Sequence, residues 1–376
     1  MHDRLLPRRV LLLAGVALLA ACGAPPVVVQ VPTATPAPTA TALPTATLVP
    51  TATLVPTATL LPTPTSTPTP RPDVSLAHGD NSFARGFLTQ RPWMVMIDNH
   101  PQAYPQSGLD KAAIVFEGLA EYGITRFSAI FLDGAGEAAA EIGPVRSTRI
   151  YFVQWAMGFQ PIHVHAGGSP DGLQLAATTA RIVNFEALDD AGRYTWRDGR
   201  RAAPHNLYTS AERLRALAAE RGVAAPVDQQ AGLLFDHYAP LDSPQVRTID
   251  YFFLDQLSRA GFRYDPASNT YRRVMRGQPH VDRVTGLQLQ TRNVVVMEVP
   301  ERPRPGDDKQ RIDQEVIGSG AARIFFAGRM LEATWRKPTA DAPLRFYDSA
   351  DQEVVFNVGP IWIAAIPTLE RLSLQP

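Results

Sequence analysis

The spacing of apolar and polar residues changes character several times along the chain. Val10 to Ala20 is a short unbroken apolar run, too short to span a bilayer as a helix. From Gly23 to Pro70 the pattern is Thr, Ala, Val or Leu punctuated by Pro every few residues, with a near-repeat over 45–50, 51–56 and 57–62. Such frequent proline blocks helix and central strand and favours extended polyproline II. Only after residue 85 does the chain alternate as a folded domain should. Trp93 to Ile97 and Ala113 to Phe116 read as buried strands, and Thr125 to Leu132 and Ala140 to Val145 as two more. An Asp133-Gly134-Ala135-Gly136 turn separates the last two. Ile150 to Phe159 is apolar at helical spacing, and Pro161 to His165 is a short strand.

Ser169-Pro170-Asp171 then has the form of a helix start: a capping serine, proline at the first helical position and an acid in the first turn. Thr209 to Arg221 is an amphipathic helix with Leu214 and Leu217 inward and Gly222 beyond its end. Past about residue 240 short strands dominate: 247–254, 261–264, 270–275, 293–299, 322–326, 329–335, 344–347, 354–356 and 361–366. The expected class is α+β, a mixed α/β domain over 73–235 followed by a mostly β domain over 236–376. The boundary falls near Gln230 to Pro244.

The leading residues carry an address. Arg4, Arg8 and Arg9 precede the apolar run, which ends in Leu19-Ala20-Ala21-Cys22. This predicts a signal peptide over 1–21 and a cysteine that is acylated, with chains such as palmitate, to become the new N-terminus. Arg8-Arg9 also fits a twin-arginine signal faintly; ordinary Sec export fits better. Residues 22–72 are then a lipidated anchor and a disordered spacer, uncharged from Gly23 to Pro70 and reaching roughly 150 Å if fully extended. Cys22 is the sole cysteine, so the mature chain has no disulfide, no Cys-based metal site and no thiol nucleophile. The expected location is the extracytoplasmic face of the cell membrane, held by a lipid anchor.

Charge narrows the partners. The chain has 36 basic and 36 acidic residues. Removing residues 1–21 takes away Arg4, Arg8, Arg9 and Asp3, so the remainder carries two more acids than bases. A nucleic-acid binder needs a basic surplus or stripe, so none is expected as a partner.

Candidate chemistry gathers in the first domain, where polar residues crowd the strand ends: Asp98-Asn99-His100, Glu117, Glu121, Arg126, Arg146, Arg149, His163, His165, Ser169 and His205-Asn206. Sites in open α/β sheets form at such edges. Arg126, Arg146 and Arg149 offer guanidinium forks that match phosphate or carboxylate oxygens. Gly167-Gly168 leads into a helix N-terminus that favours an anion. These residues, with Ser169, His165, Asp98 and His100, are the candidate ligand site for a cell-wall fragment or an anionic lipid-linked group. The competing account pairs the arginines with Glu117, Glu121 and Glu141 in a structural network.

His163 and His165 share one strand face, where they would hold a metal together with Asp98 or His100; a satisfied structural role is the plainer account, and no metal or cofactor is expected. Ser169 lacks the flanks of a nucleophile elbow, so a cap explains it better and the catalytic residues stay unassigned. A glycosidase pair among the dispersed acids is open, because separation is not readable from sequence. Trp335 and Trp362 read as core, and His280-Val281-Asp282 as an exposed loop.

Several blocks resemble a known family. Arg91-Pro92-Trp93 through Ile97-Asp98-Asn99-His100, Pro105-Gln106-Ser107-Gly108-Leu109, Glu121 to Phe127, Ile142 to Ser147 and His165-Ala166-Gly167-Gly168-Ser169 are similar to the YerB-like lipoproteins, a two-part family of unknown function. Gly277 to Asp282, Asn293 to Val296, Ile317 to Gly320 and Gly359 to Ile363 resemble its C-terminal half. The resemblance implies a lipoprotein address and two parts, and no reaction. The resulting expectation is a non-catalytic envelope accessory or binding protein for an anionic ligand or a protein partner. The alternative is a phosphotransferase acting on polyprenyl-pyrophosphate-linked glycans, since Pro144-Val145-Arg146 and His165-Ala166-Gly167-Gly168 are similar to segments of the LytR-CpsA-Psr enzymes.

Overall fold

In a computed structural model the described residues are 90–132, 138–190, 192–226, 232–255 and 258–376. The signal peptide, the Cys22 anchor, the Pro/Thr-rich stalk and the Asp133–Gly136 turn lie outside them. The described chain is α+β, mixed α/β in its first half and mostly β in its second.

Five strands of the first half are β1 (Trp93–Asp98), β2 (Ile114–Glu121), β3 (Ile124–Phe131), β4 (Ile162–His165) and β5 (Val183–Glu186). They do not close a sheet of their own. Strand Ile361–Ile366, from near the end of the chain, pairs in parallel with β2 on one side and with Asn293–Glu298 on the other. One ten-stranded sheet results, running from β5 through β4, β1, β3 and β2 into Ile361–Ile366, Asn293–Glu298, Gly318–Phe326, Arg329–Lys337 and Arg345–Tyr347. The central strands are apolar and buried along their length, as strands covered on both faces must be.

The two covers are different. On one face α1 (Ile150–Met157) lays Trp155 against Phe116 at 5.0 Å between ring centroids, and the Tyr151 hydroxyl donates to the Leu119 carbonyl at 2.6 Å. On the other lies a second, antiparallel sheet that includes Thr248–Phe252, Arg259–Asp265, Thr270–Met275 and Leu372–Gln375. Its Phe262 ring meets Trp362 at 5.9 Å. Trp335 and Trp362 are both buried, their indole N–H groups donating to the Glu298 carbonyl and the Glu117 carboxylate.

Two helices complete the first half. α2 (Pro170–Thr178) starts at Ser169, whose hydroxyl accepts the Gly172 N–H at 3.3 Å. α3 (Ala211–Glu220) is capped by Ser210 and buries Leu214 and Leu217. Two expectations fail. Ala140 to Val145 forms no strand, because Pro144 has no N–H for a ladder; single bridges at Ile142, Gly143 and Val145 replace it. His280 and Asp282 are buried rather than exposed, because their loop closes onto the first half: Asp282 accepts the Gly108 N–H at 2.6 Å and His280 meets Gln106 at 2.8 Å.

Candidate functional site

β1, β2, β4, β5, Asn293–Glu298 and Ile361–Ile366 all run one way, with β3 against them. Asp98, Glu121, His165 and Glu186 end their strands on one edge, and Arg126 sits near the start of β3 at the same edge. Side chains at the carboxyl ends of parallel strands are held by a rigid frame and face an open end, which is where α/β sheets carry their sites.

Asp98 is the hub. Its Oδ2 takes the His205 Nδ1 hydrogen at 2.6 Å and lies 3.2 Å from Arg146 Nε, while Oδ1 accepts the His100 N–H at 3.0 Å. The His100 and His205 rings stack, 4.4 Å apart and 17° from parallel. His100 Nδ1 accepts the Gln102 N–H, which assigns its hydrogen to Nε2. Burial and the neighbouring His205 push the His100 pKa down, against the pull of Asp98. Supports are specific on both sides. Arg201 clamps the loop after β1 by donating to the carbonyls of Ala103, Tyr104 and Pro105. Asn206, next to His205, is tied to Arg197 and to the carbonyls of Asp198 and Arg201.

The three candidate arginines lie near one another but do not form one open pocket. Arg126 and Arg149 are buried and share Glu121: Arg126 reaches it at 3.1 Å, and Arg149 pairs with its other oxygen. Each also donates to a carbonyl, of Ser147 and Thr148 respectively. Burial works against a charged Glu121, yet the two guanidinium groups hold its pKa down at about 2. Arg146 differs. Its side chain is a quarter exposed, and burial, then the nearby Arg126, lower its pKa against the pull of Asp98. Glu117 and Glu141 pair elsewhere, with Arg273 and Arg283.

The glycine turn is occupied from within. The Gly167 N–H donates to both oxygens of Glu186, at 2.9 and 3.0 Å, and Ser169 caps α2, so these groups are not presented to a ligand as expected. His165 is buried between Asn184, the Gly167 carbonyl and Glu186. Burial opposes its charge, but its hydrogen bonds to the Glu186 and Asn184 oxygens prevail and raise its pKa. His163 contacts Thr148 at 3.0 Å and is held neutral by burial. Among the described residues no group of three or more His, Cys, Asp or Glu is placed to hold a metal ion.

Sequence patterning missed what lies beneath the hub. Asn99 donates to Thr125, Thr125 to Glu117, Arg273 to Glu117 and to His280; His280 meets Gln106, and Gln106 donates back to Asn99. All six side chains are buried. Arg273 comes from an unremarkable stretch; Asn99 and Glu117 stand among the polar strand-end residues, Gln106 in a family-like block and His280 in a Gly/Pro loop, but nothing in their spacing joins them.

These features define a class: a two-part α+β protein whose halves share one sheet, with a polar cluster on its carboxyl edge. The chain belongs to the family described as protein of unknown function (DUF3048), whose N-terminal domain matches residues 79–224 and whose C-terminal domain matches residues 249–363. It is 35% identical over 291 residues to a protein described as putative lipoprotein YerB of Bacillus subtilis (strain 168), covering 76% of this chain and 84% of that one. A crystal structure of the Bacillus subtilis YerB protein superposes with a TM-score of 0.67 at 30% identity, over 77% of this chain and 95% of that one. Among the described residues no helix is long and apolar enough to cross a membrane.

Proposed function

We propose that this is an extracytoplasmic, lipid-anchored accessory protein of the cell envelope that binds an anionic group at the Asp98–His205–Arg146 cluster. One observation carries the reading: a single buried carboxylate hydrogen-bonds the inner nitrogen of His205 and holds the Arg146 guanidinium in ion-pair contact through Nε. Among the described residues the outer ones, His205 Nε2 and the Arg146 Nη atoms, are left without a protein partner. His100 Nε2–H adds a donor beside them. A phosphate or carboxylate on an envelope lipid or glycan has the oxygens to take the Arg146 and His100 hydrogens, and His205 Nε2 joins them when that ring carries both hydrogens.

A second reading rests on the 2.6 Å Asp98–His205 contact. It leaves the Nε2 of a neutral ring as a base, in line with phosphotransfer on a polyprenyl-pyrophosphate-linked glycan. Titration with inorganic pyrophosphate, followed by calorimetry, tests the first reading. Arg146→Lys keeps the charge but loses the fork and should weaken binding about tenfold while the fold survives. Unchanged affinity in Arg146→Lys and Arg146→Ala alike would sink the binding reading. Glycan transfer from a polyprenyl pyrophosphate, lost in His205→Ala, would replace it with the second.

A further inference from the structure

A separate cavity of about 700 Å³ opens further along the same carboxyl edge, between the end of β2 and the segments that follow Asn293–Glu298 and Ile361–Ile366. Its volume lies in the range of small-molecule sites. Leu119, Ile312, Tyr122 and Leu254 supply apolar wall and rim. Tyr122 and Leu254 are large apolar side chains left about half exposed, at 52% and 49%, and both stand at this one opening.

Tyr122 occupies its place against a local preference. It forms the β2–β3 turn with Gly123, and both have positive φ, 54° and 73°. Such two-residue turns favour Asn-Gly, and a left-handed tyrosine costs on the order of 1 kcal/mol. The ring is thereby placed over the opening, its hydroxyl donating to the Asp308 carbonyl at 3.3 Å.

The charges on the walls, Asp255 included, have partners with one exception among the described residues. Glu121 is held by Arg126 and Arg149, Asp307 by Arg311, and Arg304 by Asp171 and Asp313. Arg371 donates to the Phe253 carbonyl and stacks on Phe252. Glu301 receives a single hydrogen bond, from Gln314 Nε2 at 3.3 Å, and no cation lies within ion-pair distance among the described residues.

We propose that this cavity binds a primary ammonium carried on an apolar stem, with Glu301 taking the ammonium, the Leu119, Ile312 and Leu254 side chains taking the stem, and Tyr122 covering it. An ammonium offsets the cost of a half-buried, unpaired carboxylate, whereas an incoming anion adds to it. Burial raises the Glu301 pKa, and the Gln314 hydrogen bond and the more distant Arg371 charge do not offset it. Two sources present this chemistry, a free alkylamine and a lysine-type side chain on a peptide.

The full-length protein in detergent is titrated with hexylamine, with Nα-acetyl-lysine methylamide and, as a control of sign, with hexanoate. Saturable binding of hexylamine, with Glu301→Gln about tenfold weaker, is the expected result. Comparable binding of the lysine derivative assigns the peptide source, and its failure beside hexylamine assigns the free amine. Tyr122→Gly separates function from folding. Glycine relaxes the turn, so thermal stability holds or rises while hexylamine binding weakens. Failure of hexylamine to bind, equal binding of hexanoate, or Glu301→Gln and Tyr122→Gly variants that bind as well as the parent would overturn the assignment.

Discussion

The Glu117 carboxylate and the Arg273 guanidinium meet at 2.7 Å with neither side chain exposed, although 156 residues separate them. Glu117 also accepts from Trp362 Nε1 and Thr125, and Arg273 lies over the Trp362 ring at 4.0 Å. A buried ion pair contributes little net attraction over a well-packed apolar pair, but cutting one partner leaves a naked charge. Arg273→Met and Glu117→Gln should therefore each cost about 3–5 kcal/mol in urea unfolding. A double replacement should cost clearly less than the two added together. Additive losses would mean the two groups do not act as a pair.

The shared sheet gives a second expectation. β2 has Ile361–Ile366 as its outer neighbour, and without it a buried apolar strand becomes an open edge. A fragment ending near residue 226 and one starting near residue 232 should each lack cooperative unfolding alone, and regain it when mixed. Two separate cooperative transitions in the intact chain would contradict this.

How much of this was legible in the chain follows from range. Strands such as Trp93–Asp98, Thr270–Met275 and Ile361–Ile366 were readable because apolar runs and turn residues are local signals. So was Ser169 as a cap, since its hydrogen bond spans three residues. The insertion of Ile361–Ile366 between β2 and Asn293–Glu298 was not, because parallel pairing over such distances leaves no mark on spacing. The arginines were found by residue type, but their burial was not. Whether a guanidinium meets solvent or Glu121 depends on the path of a loop, and that path was misread as a strand at 140–145.

Acid should weaken the fold through Glu121. Its folded pKa is about 2 against an ordinary 4.5, so its contribution is present above 4.5 and is lost as the pH falls toward 2. The shift corresponds to about 3 kcal/mol at neutral pH. Glu121→Gln should flatten the stability profile between those values. It should also lower stability at neutral pH by about 3–5 kcal/mol, because Arg126 and Arg149 lose their shared counter-charge. An unchanged acid limb in the variant would assign it to other carboxylates.

The address is tested at Cys22. Leu19-Ala20-Ala21-Cys22 carries the expectation of an acylated cysteine, and membrane association is expected to depend on it. One acyl chain binds only marginally, whereas two or more hold a protein firmly. Cys22→Ser, expressed in a bacterial host and fractionated, should move the protein from the membrane pellet to the soluble extracytoplasmic fraction. Charge offers no substitute anchor, since beyond residue 21 acids outnumber bases by two and an anionic bilayer would not attract the chain strongly. A high-salt wash separates the remaining cases: variant protein that stays in the pellet after the wash is held by apolar contact other than the lipid, and the anchor assignment fails.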